Sequence, residues 1–272
     1  MMEIQQKYDA LRKEIYQYES VIVAFSGGVD SSFLLKVAQD VLENNVIAVT
    51  AESSTFPERE VEICKAFTKK YGIRHQMITS EELAVEGFSD NPKNRCYLCK
   101  KELFGKIKEI ATLQNIPVVL EGSNYDDLGD FRPGRQAVME HGIQSPLLSA
   151  CLTKQEIRTL AKEMNLDCWD KPAFACLSSR FPYGEEITLE RLAMIDQAEE
   201  LLIGMGFRQA RVRFHREVAR IEIPESQFVE IMKPEVRETI YRTLQKIGFQ
   251  YTTLDLLGYR TGSMNEVLNE RP

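Results

Sequence analysis

Residues 21–38 read VIVAFSGGVDSSFLLKVA. Five apolar residues, 21–25, have the length and β-branched content of a buried strand, and from Ser31 onward the apolar spacing becomes helical. Between them stand Ser26, Gly27, Gly28, Val29, Asp30, Ser31 and Ser32. Glycines permit positive φ and close backbone approach, and a helix N-terminus aims amide donors at an anion, so the segment reads as a phosphate-binding loop. Its plainer alternative is a strand-to-helix turn capped by Asp30 or Ser31. The loop carries neither the lysine of a Walker A motif nor G-x-G-x-x-G. An aspartate in place of that lysine predicts that Mg²⁺ screens the bound phosphates.

Outward from this stretch, short apolar runs at 46–50, 74–78, 117–121 and, more weakly, near Leu147 alternate with helical patterns at 31–43, 57–71, 96–114 and 153–164. Thr153 and Glu156 have the spacing of a capping box. This alternation predicts a doubly wound parallel α/β sheet. The segment 170–184, DKPAFACLSSRFPYG, contains two prolines and little periodicity, so the domain boundary is expected there: 1–184, then a smaller α+β domain over 185–272. In the latter, a helix over 188–205, strands in ARVRFH and VARIEIP, a mostly helical stretch 224–247 and a strand at 251–256 are expected.

The 272 residues, 43% hydrophobic and 28% charged, suffice for one large and one small domain. A net charge of −7 disfavours a nucleic-acid partner. The N-terminal stretch is amphipathic rather than a signal peptide, and no apolar run is long enough to span a bilayer. With six cysteines and no export signal, a reducing cytoplasm is the expected compartment. Cys64, Cys151 and Cys168 read as ordinary buried thiols. Cys96 and Cys99 form a CxxC at a helix start, suited to one metal or cluster or to a redox pair. His75, His141 and His215 are scattered, so a further ligand would come from afar, and Cys176, beside Arg180 in an irregular loop, is the best candidate. The alternative for Cys176 is a loop thiol packed between Phe174 and Leu177. Arg211 and Arg213 alternate along one strand and share a face, as would suit an anionic substrate or, equally, a solubilised edge.

The SGGVDSS loop resembles that of PP-loop ATP pyrophosphatases, in which it grips the pyrophosphate of ATP while AMP passes to a substrate oxygen. VIAVTAES and EGSNYDDLGDFRPGR match that family's adenine and G-[ST]-N-x-D-D segments. The resemblance implies that Thr50 and Ala51, with the residues up to Ser53, and Gly122, Ser123, Asn124 and Asp127 lie near ATP. CLSSRFPYG, RVRFHREVARIEIPE, TLDLLGYRTGSMN and DFRPGR together resemble the LarE family of sulfur transferases, across essentially the whole chain. Members adenylate a carboxylate of pyridinium-3,5-biscarboxylic acid mononucleotide and install sulfur on the way to the nickel-pincer nucleotide of lactate racemase. One group sacrifices the sulfur of a cysteine matching Cys176 and leaves dehydroalanine. Another places three cysteines around a [4Fe-4S] cluster with one open iron, and CYLC aligns this chain with it, implying Cys96, Cys99 and Cys176 as ligands and sulfide as co-substrate. Glu199, Arg180, Arg211 and Arg213 are implied at the substrate site, with Arg260 and Ser263 as further phosphate contacts in a homo-oligomer.

Three other functions compete. A PP-loop tRNA thiolase would need a basic RNA surface that this chain lacks. An ammonia-dependent amidotransferase-like ligase leaves the three cysteines without a role. A non-enzymatic ATP sensor would release no pyrophosphate.

Overall fold

The computed structural model describes residues 3–129 and 133–266. Asp130, Phe131 and Arg132 of the DFRPGR motif lie outside the described residues. The chain divides into two compact units, Met1–Val85 with Lys93–Phe174, and Glu86–Pro92 with Ala175–Pro272.

In the first unit, α1 (Ile4–Tyr16), β1 (Val21–Ala24), α2 (Val29–Leu42), β2 (Val46–Glu52), α3 (Glu58–Tyr71), β3 (Arg74–Thr79), α4 (Arg95–Leu113), β4 (Val118–Leu120), α5 (Gly134–Glu140), α6 (Pro146–Ser149) and α7 (Lys154–Glu163) follow in order. The four strands form a parallel sheet of order β3-β2-β1-β4. Alternation along β1 explains why it is apolar throughout. Val21 and Val23 join Phe33, Leu34 and Leu160 on one face, while Ile22 meets Phe104, Ile107 and Val119 on the other. The strand order reverses between β1 and β4, which is where open α/β sheets bind ligands, beyond the strands' carboxyl ends.

The strand expected near Leu147 is a helical turn instead. Pro146 has no N–H for a ladder and occupies the first turn of α6. Only Gln144 pairs there, bridging Leu120 in parallel. The capping box of α7 forms as expected, with Thr153 accepting from the Glu156 amide.

The second unit comprises α8 (Leu189–Gly204), β5 (Arg211–His215), β6 (Val218–Glu222), α9 (Phe228–Ile231), α10 (Pro234–Ile247) and β7 (Tyr251–Leu254). β5 pairs antiparallel with β6, and β6 pairs parallel with β7. The division falls at Phe174, ten residues before the expected Gly184. Residues 175–184 pack with α8 and β5: Phe181 stacks on Phe214 at 5.2 Å, and Arg180 pairs with Glu199. The segment Glu86–Pro92 was not anticipated in this unit, because contacts remote in sequence place it there: Asn91 Nδ2 donates to the Pro182 carbonyl at 2.6 Å and the Ile187 amide to Ser89 O at 2.9 Å.

Candidate active site

The loop between β1 and α2 has the backbone form that suits an anion. Gly27 has φ +66°, and a Cβ there would lie 2.9 Å from Cys64 Sγ, so only glycine fits. Gly28 is the extended N-cap of α2. Ser31 Oγ closes the turn, donating to Gly28 O at 3.2 Å and lying 3.2 Å from Ser26 Oγ. Val29 and Ser32 face the core and are buried. From the end of β4, Gly122 packs so closely that a Cβ would stand 3.1 Å from the Ser31 nitrogen. The two loops therefore meet at the switch point, which sequence spacing alone could not show. β2 overhangs them, since its pairing with β1 ends at Ala24–Val49 while that with β3 continues through Thr50 and Ala51 to Glu52–Thr79. The Thr50 hydroxyl staples the strand ends, donating to Phe25 O at 2.8 Å.

Asp30 lies at the head of α2 with one carboxylate oxygen paired to Lys154 Nζ. Its Oδ1 is buried without a hydrogen-bond partner among the described residues. Burial pushes the Asp30 carboxyl up, Lys154 draws it down, and Asp127 opposes that lysine. Asn124 donates its amide to Asp127 Oδ2 at 3.0 Å, and Asp126 accepts from the Lys154 amide at 2.9 Å. Ser123 is turned to Glu121, donating its hydroxyl at 2.9 Å. An orphaned buried carboxylate oxygen beside a second carboxylate fits a hard divalent cation. Two lysines escaped the sequence reading: Lys154, behind the capping threonine, and Lys171, whose Nζ donates to Gly27 O at 3.0 Å. Neither belongs to a motif, so no signal pointed to them.

The cysteines separate by environment, and none of the six is in a disulfide. Cys64 is fully buried under Gly27, and burial pushes its thiol up to about 11. Cys168 is buried, whereas Cys151, expected to be buried, is exposed on the turn just past α6, at positive φ. Cys96 and Cys99 lie about one turn apart at the start of α4, exposed and half-buried. The Cys99 thiol donates to Glu82 Oε1 at 3.7 Å. Burial pushes up the Glu82 carboxyl, another group that sequence reading missed. Cys176, in the second unit, is half-buried and precedes a short 3-10 turn, Leu177–Arg180. Within neither unit do three or more described His, Cys, Asp or Glu side chains converge as a metal site.

In the second unit, Arg180 is fully buried and grips Glu199 through two bonds of 2.8 Å. Its NH1 nitrogen donates to Ala175 O at 2.7 Å and Cys176 O at 3.2 Å, so it braces the cysteine loop. Glu199 also accepts from the Val212 amide at 3.0 Å. Burial raises the Glu199 carboxyl, but Arg180 outweighs it and holds the carboxyl below its usual range. Arg213 reaches Glu222 at 2.7 Å and Ser263 at 3.0 Å, with its Nε buried and unpartnered among the described residues. Burial, reinforced by Arg180, pulls Arg211 down to about 10, and its guanidinium lies 5.5 Å from the Tyr259 ring centroid. Both strand arginines are at most 7% exposed, which removes the solubilised-edge reading. Arg260 is engaged by Asp255 and Glu266.

Glu199→Ala would leave the buried Arg180 charge without its carboxylate, and is expected to cost about 3–5 kcal/mol of unfolding free energy, read from urea midpoints. Because the folded carboxyl is lowered, the pair's contribution is present above the unfolded value of about 4.3 and is lost as pH falls through the folded one. The wild-type and variant stabilities should therefore converge in acid.

A parallel sheet with SGGVDSS at its β1/β4 switch point defines a PP-loop nucleotide-binding protein. The NAD synthase family profile matches residues 3–105. Over 253 residues the chain is 38% identical to pyridinium-3,5-bisthiocarboxylic acid mononucleotide synthase of Lactiplantibacillus plantarum, covering 93% of this chain and 91% of that one. The chain belongs to the LarE family. An uncharacterized Synechocystis protein, slr1717, is 41% identical over 98% of this chain and all of its own. A subunit of the glutamine-hydrolyzing GMP synthase of Methanocaldococcus jannaschii is 25% identical over 60% of this chain and 55% of its own. No helix among the described residues is long and apolar enough to cross a membrane.

Proposed function

We propose that the protein is an ATP-dependent sulfur transferase that adenylates a carboxylate of pyridinium-3,5-biscarboxylic acid mononucleotide and replaces the activated oxygen with sulfur. The observation carrying this reading is the 38% identity, over nine-tenths of both chains, to a synthase named for the thiocarboxylate product. The phosphate loop at the sheet's switch point supports it. In the first step a carboxylate oxygen attacks the α-phosphorus of ATP and pyrophosphate leaves; in the second, sulfide attacks the acyl carbon and AMP leaves with the original oxygen. The amides at the head of α2 bind the departing phosphates. Mg²⁺, held by Asp30 and Asp127, would screen their charge.

Cys96, Cys99 and Cys176 are proposed as the three protein ligands of a [4Fe-4S] cluster, which when bound would supply a sulfur carrier. Two thiols one helical turn apart and a third thiol on an irregular loop suit that donor set chemically. Arg180 and Glu199 act by holding the Cys176 loop, while Arg211 and Arg213 orient the anionic substrate, Arg213 through a donor that no described protein group satisfies. Six cysteines kept as thiols rather than disulfides support a reducing cytoplasm. Exposed apolar side chains such as Val229, Leu256 and Leu257 support an assembly of several copies.

The test combines ATP, Mg²⁺, the mononucleotide and sulfide with anaerobically purified protein. Pyrophosphate release dependent on the mononucleotide, together with a product about 16 Da heavier per oxygen replaced, is expected; sulfur and oxygen differ by that mass. Arg211→Ala should lower turnover about tenfold while ATP binding is kept, the scale of one charge-assisted contact. Pyrophosphate release with ammonia and not with sulfide would instead favour an amidotransferase-type ligase.

A further inference from the structure

The phosphate loop is held from behind by a residue outside its motif. Lys171 Nζ donates to the Gly27 carbonyl at 3.0 Å and to Glu60 Oε2 at 2.6 Å. Both side chains of the ion pair are largely withdrawn from solvent, 16% exposed for Lys171 and 8% for Glu60. The lysine's backbone is itself anchored, since Arg158 donates to the Trp169 and Lys171 carbonyls at 2.6 Å each. Phe174, a little further along, packs edge-on against Phe56 at 5.8 Å.

A peptide group is planar, and every described peptide is trans, so the carbonyl of Gly27 and the amide of Gly28 point in opposite directions. Whatever grips that carbonyl aims that amide. Gly27 stands at φ +66° and is followed by another glycine, so this peptide has less intrinsic resistance to rotation than any between substituted residues. Without an external hold the amide would spend part of its time turned away from an anion.

We propose that Lys171 is the positioning residue of the nucleotide site: by fixing the Gly27 carbonyl it presets the Gly28 amide as a phosphate donor, with Glu60 holding the lysine in place. This rests on the reading that the loop binds ATP phosphates. Lys171 touches a carbonyl rather than the nucleotide, and the segment that carries it runs on to Cys176, so one stretch of chain sets the phosphate donor and supplies the thiol.

The experiment measures MgATP and adenosine binding by calorimetry to the wild type, Lys171→Met, the double variant Lys171→Met/Glu60→Gln and Lys171→Arg. The double variant leaves no unpaired buried charge and guards against loss of the fold. We expect both Met variants to bind MgATP at least about tenfold more weakly, the scale of one lost charge-assisted bond, with adenosine affinity unchanged. Arginine, which can still donate to the carbonyl, should restore most of the affinity. In ¹⁵N-glycine-labelled protein without nucleotide, the Gly28 amide resonance should already move in the Met variants. Unchanged MgATP affinity in the double variant would overturn the proposal. Absence of MgATP binding by the wild type would instead overturn the nucleotide reading on which it rests.

Discussion

Asp30→Ala is expected to slow mononucleotide-dependent pyrophosphate release by on the order of 10²–10³-fold, the loss typical of removing one preorganised electrostatic group from a reacting centre. The fold should survive. Asp30 sits in the first turn of α2, Lys154 can swing toward solvent once its partner is gone, and the glycine backbone of the loop is untouched. The carboxylate has one oxygen given to Lys154 and one buried oxygen given to no described group, an arrangement that suits a hard cation. Asp30→Asn separates charge from shape: it keeps the volume and should fail nearly as badly, with the thermal midpoint close to wild type. Full-rate adenylation by either variant, measured as pyrophosphate release at saturating ATP, would remove Asp30 from the site.

Cys176→Ala is expected to abolish thiocarboxylate formation altogether while pyrophosphate release continues, since both of the proposed sulfur chemistries run through that thiol and the proposed adenylation does not. What separates the two is the behaviour of the CxxC pair. If the three thiolates hold a cluster, Cys96→Ala and Cys99→Ala should each lose iron on anaerobic reconstitution, because three ligands are already one fewer than the usual set, and the wild type should turn over repeatedly with added sulfide. If Cys176 gives up its own sulfur, those two variants stay active, each chain delivers one sulfur, and its mass falls by about 34 Da as the residue becomes dehydroalanine, the mass of H₂S. An iron-free chain that delivers one sulfur and carries dehydroalanine at position 176 would sink the cluster reading. The Arg180 brace on the Cys176 carbonyl is compatible with either outcome, since holding a loop serves a ligand and a nucleophile alike.

Much of the first unit was legible in the sequence because its determinants are local. A buried parallel strand must be apolar on both faces, and a phosphate loop must place glycine where φ is positive, so 21–38 announced strand, loop and helix without reference to anything distant. The capping box of Thr153 and Glu156 was readable for the same reason. The LarE resemblance rested on long uncommon motifs, and the 38% identity to the synthase agrees with it.

Where a feature depends on residues far apart in the chain, sequence spacing could not reach it. Gly122 was named for its motif, but its packing against the Ser31 nitrogen comes only from the order of β1 and β4 in the sheet. Arg211 and Arg213 alternate as an edge strand would, yet they are buried, because α8 brings Glu199 beside their strand and β6 brings Glu222 across from it. Glu86–Pro92 joined the second unit through Asn91 and Ser89, whose partners lie near Pro182 and Ile187. Lys154 and Lys171 reach the phosphate loop from more than a hundred residues away, and only a folded chain spends a lysine's charge on one chosen carbonyl or carboxylate. Local periodicity and backbone permissiveness thus determined the elements and the backbone form of the loop; burial of charge, which needs a specific partner at a specific distance, was decided by the tertiary structure.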